Sequence, residues 1–311
     1  MSERKKRIEW IDAVKGLGII LVILGHMTIP QMVRRFIFSF HMPLFFFVSG
    51  YLFKNNFSKT WCLRKCDSLL IPYALYGFLT IAVMHLFAKV PLDVMLGSFL
   101  RGNGVGVLWF LMCLFVVEIV GGGIIRVIGD NIGFLFAATI AAAVLGWIVP
   151  KALHNGVMCI RTVPAALAFW LAGYVAKTYF AGRKIGWPLR CVGIAAMVTV
   201  GAMFAVQRVD LAAARYGNIL LFYGTALSLV GLVFLVFFSL DISIKPLAFL
   251  GLVSLELMCL HGIVPFFVGM AVGCKALARI LSLSILILLA YAIHRWIPLL
   301  SGQAAVFGKM K

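Results

Sequence analysis

Apolar residues run along this chain in stretches of about 20 with polar joints between them, the length that carries one helix across a bilayer's hydrocarbon core. Ten such stretches are read, at residues 10–27, 36–53, 69–87, 105–125, 132–149, 163–179, 188–206, 219–240, 246–268 and 276–297. The pattern predicts an all-α fold, a polytopic integral membrane helical bundle of about ten transmembrane helices. An even number of crossings puts both termini on one side. The joints are short, so residues 1–311 are expected to form a single transmembrane domain with no appended soluble domain. Any chemistry then falls to the bundle itself.

Composition agrees. The chain is 63% hydrophobic and 12% charged, with a mean hydropathy of +1.08, whereas soluble domains are about half apolar and a quarter charged. Its 28 Lys and Arg against 10 Asp and Glu give a net charge of +18. A nucleic-acid footprint needs such residues clustered on a solvated face. Here they are spread through the joints, which fits anionic lipid headgroups as partners and no nucleic acid. With the N-terminus inside, the inside segments hold 16 positive residues and the outside ones 10, Lys15 and Arg295 being assigned within spans. That bias favours N-in and C-in. Arg4, Lys5, Lys6 and Arg7 before Leu17 to Leu24 imitate a signal peptide, but Glu9, Asp12 and Lys15 precede the apolar stretch and His26 stands where a small-residue cleavage site belongs. A retained first span is expected.

The joint at residues 54–67 reads as a basic interfacial segment with Phe57, Trp61 and Leu63 as lipid-facing anchors. Of the 7 cysteines, Cys113, Cys159, Cys191 and Cys259 lie in or beside apolar runs, and Cys62 and Cys66 in the basic joint. No CxxC pair is present, so free thiols are expected. Gly269 with Gly273, and Gly18 with its neighbours, read as close helix packing. Gly102, Gly104 and Gly106 form a joint before Trp109, and with no preceding strand they carry no dinucleotide-binding meaning.

Charged and titratable side chains are costly in lipid, so each one inside a span is a functional candidate. Asp12, Lys15 and His26 come first. Asp12 and Lys15 are three residues apart; Lys15 and His26 are eleven apart, close to three full turns, so all three share a helix face. A rise of about 1.5 Å per residue puts His26 some 16 Å beyond Lys15. They either line an internal cavity or serve as a terminal ion pair and a span-end cap. Glu118 in the fourth span either orients a histidine or is a helix-end carboxylate neutralised by a neighbouring cation. Glu256 and His261 are five apart, about 140° around a helix, and face one point only if the helix bends. His85, His154 and His294 fall near span ends and read as interfacial.

Several of these residues sit in recognisable strings. Trp10-Ile11-Asp12-Ala13-Val14-Lys15-Gly16, continuing to Gly25-His26, resembles the opening motif of the acyltransferase-3 membrane family. Ser39-Phe40-His41-Met42-Pro43-Leu44 with Ser49-Gly50-Tyr51 resembles its second-span signature, especially in the branch of fucose 4-O-acetylase-like proteins. Leu70-Ile71-Pro72-Tyr73, Leu108-Trp109-Phe110-Leu111, Leu171-Ala172-Gly173-Tyr174, and Leu250-Gly251 with Ser254-Leu255-Glu256 and His261 complete a match over nearly the whole chain. Two departures stand out: Lys15 replaces the commoner Arg, and Arg64-Lys65 is followed by Ser68 where a second Arg is often found.

The resemblance implies O-acyl transfer, usually of acetyl from acetyl-CoA or another acyl-CoA, to a sugar hydroxyl of a cell-surface glycan or its lipid-linked precursor. It also implies a multi-pass protein of the bacterial cytoplasmic (inner) membrane. An alcohol attacks well only while its proton is being removed, which assigns His26 as general base, with Glu118 and His41 as further catalytic candidates. Donor phosphates need cations, assigned to Lys15, Arg64 and Lys65 with Asp12 beside them. Trp109, Ser49, Glu256 and His261 are the candidates for oxyanion stabilisation or substrate positioning. No metal site and no permanently bound cofactor are expected; acyl-CoA is a co-substrate. Intramembrane titratable residues also occur in transporters and flippases of lipid-linked sugars, the competing class.

Overall fold

The computed structural model describes residues 8–153, 156–180, 193, 197, 208–240 and 244–308. All of the predicted span 188–206 except Gly193 and Met197, together with His154, Cys191 and the basic residues at both chain ends, lies outside these. The helices are α1 (Glu9–His26), α2 (Gln31–Leu52), α3 (Lys59–Lys65), α4 (Ile71–Ala88), α5 (Leu92–Leu100), α6 (Trp109–Ile128), α7 (Ile132–Ala152) and α8 (Val163–Phe180). They continue as α9 (Ile219–Leu240), α10 (Lys245–Leu252), α11 (Ser254–Leu260), α12 (Ile263–Ala271) and α13 (Lys275–Trp296). No strand forms among the described residues; a lone bridge joins Asp210 and Arg215. The protein is a polytopic membrane helical bundle. Six described helices are long and apolar enough to cross a membrane.

The ninth stretch departs from its expected single span. It breaks at Val253, where α10 gives way to α11, and again at His261–Gly262, where α11 and α12 meet at 52°. Both residues precede the bend, and Glu256 and His261 face different cavities, as their spacing on one helix dictates. The joint at 54–67 also differs, since α3 runs through a π-helical turn (Cys66–Leu70) into α4. Trp61 is no lipid anchor: it is buried, with ring centroids 5.4 Å from Phe53 and 5.5 Å from Phe57.

Two glycine-mediated contacts set the frame. Gly16 of α1 lies against the Leu247 carbonyl of α10, and Gly251 returns the contact to the Asp12 carbonyl; a Cβ at either would overlap the facing oxygen. Gly50 of α2 and Gly173 of α8 make the same reciprocal pair with the Trp170 and Phe47 carbonyls. Backbones approach this closely only where both partners lack a side chain. The expected Gly269–Gly273 contact is not made, since neither has a described atom within 4 Å of where its Cβ would be, whereas Gly18 packs on the Phe45 ring.

Lys15, near the start of α1, and Ser301, beyond α13, line one cavity. The start of α1 and the segment after α13 therefore meet at one end of the bundle, called here the terminal end. The other, distal end holds the close of α1, the start of α2 and the segments 101–108, 156–162 and 208–216. Hydrogen bonds tie these distal segments together: Met158 N–H to the Arg101 carbonyl at 2.7 Å, Asn103 Nδ2 to the Gly156 carbonyl at 2.7 Å, and the Thr162 hydroxyl to the Leu211 carbonyl at 3.0 Å.

Candidate functional site

Polar chemistry gathers at two levels along α1. At the distal level His26 closes α1, His41 lies nearly three turns into α2, and His261 stands at the break between α11 and α12. The His26 and His261 rings meet edge to face with centroids 4.8 Å apart. Phe38 bridges His26 and His41, its centroid 5.8 Å from the first and 5.0 Å from the second. Each imidazole is anchored by its own helix: Nδ1 of His26 meets the Val22 carbonyl at 2.9 Å, that of His41 the Ile37 carbonyl at 2.8 Å, and that of His261 the Met258 carbonyl at 2.7 Å. A carbonyl oxygen only accepts, so Nδ1 carries a proton, and in the neutral ring Nε2 is the nitrogen with the lone pair. His41 and His261 are buried; Nε2 of His261 has no hydrogen-bond partner among the described residues.

A cavity of about 280 Å³ is lined by His26, His41, Trp109 and Met258. It adjoins three others that share its walls, of about 350, 410 and 490 Å³. His26 lines three of the four. Trp109 reaches this place because α6 begins there, after a loop pinned to 156–159. Cys159 in that segment has its thiol pushed up to about 12 by burial.

At the terminal level a cavity of about 290 Å³ is lined by Lys15, Ser49, Glu256, Met258 and Ser301. Lys15 pairs with Asp12 at 3.4 Å. Lys65 pairs with the buried Glu118 at 3.0 Å, and the Ser49 hydroxyl donates to the same carboxylate oxygen. Glu256, also buried, meets His294 Nδ1 at 2.7 Å, and Gln303 lies 3.0 Å from His294 Nε2. The C-terminal segment closes this end: the Phe307 and Gly308 N–H groups both donate to the Asp67 carboxylate at 2.8 Å, beside Arg64.

The geometry sorts the expected residues. His26, His41, Trp109 and His261 come together. Lys15, Asp12, Ser49, Glu118, Lys65 and Glu256 assemble at the other level, with Arg64 near the tail. Two expectations are corrected. Glu118 orients neither His26 nor His41, because backbone carbonyls do that, and Lys65 neutralises it. Ser49 lines the terminal cavity and donates to Glu118, so it supplies no oxyanion donor beside His26. Asp12 is paired with Lys15.

His294, in the last turn of α13, is tied to Glu256, whereas His85 is exposed and bonded to the Val90 carbonyl. His294 and Met258 are missed by sequence reasoning. No local spacing links His294 to Glu256 across 38 positions, and Met258 resembles any apolar helix residue. Met258 walls both levels. It is the partition between them.

The chain matches the family model described as an acyltransferase domain of the acyltransferase-3 family over residues 8–298. The chain belongs to that family, and it is a multi-pass membrane acyltransferase. Comparison with curated proteins and with solved structures gave no match.

Proposed function

We propose that this acyltransferase-3 family member moves an acetyl or other short acyl group from acyl-CoA to a sugar hydroxyl of a cell-surface glycan or its lipid-linked precursor. It does so in the cytoplasmic membrane of a bacterium, with both termini inside. The observation that carries the reading is His26: its Nδ1–H is held by the Val22 carbonyl and its Nε2 is left as a base facing a cavity shared with His41 and Trp109.

Acyl-CoA is a cytoplasmic anion. Lys15, Lys65 and Arg64 supply cations at the terminal end. The acyl arm then reaches from the Lys15 cavity past Met258 toward His26, some 16 Å along α1 at about 1.5 Å per residue. In the transfer, His26 Nε2 takes the hydroxyl proton as the oxygen bonds to the acyl carbon. The carbon–sulfur bond breaks and CoA leaves as thiolate toward the terminal end. The Trp109 indole N–H is the donor offered to the developing oxyanion, because the single N–H of His41 is taken by the Ile37 carbonyl.

The test is acetylation of the cell-surface glycan, measured by mass, in cells carrying His26→Ala. We expect normal insertion with acetylation lost, a general base contributing about 10²- to 10⁴-fold. Retained acetylation removes His26 from the role. A purified protein that cleaves no acetyl-CoA thioester while moving lipid-linked sugar across vesicles would favour the transporter class.

A further inference from the structure

Arginine and lysine are distributed unequally between the two ends. Of the 16 basic residues in segments read as inside, 6 are Arg, whereas of the 10 in segments read as outside, 7 are Arg. The positive-inside tendency counts both types alike and does not account for this. Arginine is favoured where a planar fork must hold a carboxylate or phosphate through paired hydrogen bonds.

The structure places these arginines with purpose. Arg34, Arg35 and Arg208 line the His26 cavity of about 350 Å³; Arg101 and Arg161 line the one of about 490 Å³ that meets Trp109; Arg279 lines the third. The outside lysines, Lys89, Lys151 and Lys275, line none of these cavities. Asp210 is the one carboxylate lining them, and its Oδ1 already accepts the Ala213 N–H at 3.1 Å. The Arg35 Nε is buried with no hydrogen-bond partner among the described residues. Six arginines thus line the joined cavities, four of them in cavities that His26 also lines, with one acidic residue among the described lining; Arg34 also donates to the Met27 carbonyl at 2.8 Å. A neutral glycan gives no reason for such a field, which focuses anions toward His26.

We infer that the acceptor is an anionic glycan, one whose sugars carry carboxylate or phosphodiester groups close to the hydroxyl that is acylated. It enters at the distal end, and the arginines hold its charges so that the hydroxyl faces His26 Nε2. The inference rests on the acyl-transfer reading for calling the occupant an acceptor. Its charge preference is read from the cavities alone.

The experiment measures binding to the full-length protein in lipid nanodiscs, without donor, by calorimetry at several salt concentrations. The probes are an oligogalacturonate, a glycerol-phosphate oligomer and a neutral chito-oligosaccharide of equal length. At least one anionic probe should bind tenfold or more tightly than the neutral one, weakening as salt rises. Arg35→Gln with Arg101→Gln should erase that preference, whereas Lys89→Gln with Lys151→Gln, which removes equal charge outside the cavities, should keep it. Arg35→Lys should retain part of it, showing that the site survives substitution. Preference for the uronate identifies carboxylate recognition, and preference for the glycerol phosphate identifies phosphate recognition. Equal binding of neutral and anionic probes, or equal losses in the arginine and lysine pairs, overturns the inference. Acetyl-CoA cleavage measured on the same preparation separates the two readings. Its absence with charge preference intact counts against acyl transfer only, and its presence with no charge preference counts against the anionic acceptor only.

Discussion

Lys65→Met is the most discriminating perturbation of the terminal level, because it removes one member of a pair whose other member is buried. Glu118 is 2% exposed and Lys65 27%. At their 3.0 Å separation, two unit charges attract by about 5 kcal/mol at an effective dielectric of about 20. Desolvation offsets much of this while the pair is intact, yet breaking a buried pair leaves one charge uncompensated, at a cost of about 3–5 kcal/mol. Ser49 still donates to Glu118 and Lys65 is partly open to solvent, so the lower end, about 3 kcal/mol, is expected. In a thermal melt of the purified protein this is a fall in Tm of about 5 °C. Glu118→Gln alone should cost less, about 1 kcal/mol, because the orphaned lysine reaches water. The double variant Lys65→Met/Glu118→Gln should recover most of the loss, since no buried charge remains. If single and double variants melt together, the pair is not coupled and the reasoning fails. Kinetics add a second readout. Glu118→Gln should raise the acetyl-CoA KM more than it lowers kcat, whereas a carboxylate orienting His26 would do the reverse.

Two further outcomes follow from the geometry. Met258→Trp should block acyl transfer by filling the partition between the two cavities while leaving CoA binding, measured by calorimetry, within about threefold; transfer at full rate would show that the acyl arm takes another route. Cys274, fully exposed, has its thiol drawn below the ordinary value by the backbone N–H groups of Leu277 and Ala276, while burial holds the Cys159 thiol near 12. The fraction of thiolate rises as pKa falls below the ambient pH, so near pH 8 a membrane-impermeant maleimide applied to intact cells should label Cys274 and spare Cys159. Labelling of Cys274 only after the cells are opened would reverse the orientation.

The hydrophobic period fixed the all-helical membrane class, because about 20 apolar residues in a row admit one cheap solution in lipid, a helix that satisfies its own backbone. The shared face of Asp12, Lys15 and His26 was legible for the same reason, since helical spacing is local. The opening and second-span strings were enough to indicate the family. Their glycines also show why they recur as strings: Gly16, Gly50, Gly173 and Gly251 are the points where helix backbones touch.

Tertiary structure decided the partners. Whether Glu118 serves a histidine or a lysine depends on how α6 is turned against α2 and the π-helical turn after α3, which no spacing encodes. Glu256 and His294 meet across 38 residues, and Met258 separates the two levels only because α11 is cut off from α10 and α12 by two breaks. The arginines were visible in the sequence only as topology charges. Three-dimensional packing gathered six of them, from five separate segments, around the joined cavities that His26 and Trp109 line. Charge and helicity are properties of single residues and short windows, whereas a site is made of side chains that only the folded bundle brings within a few ångströms.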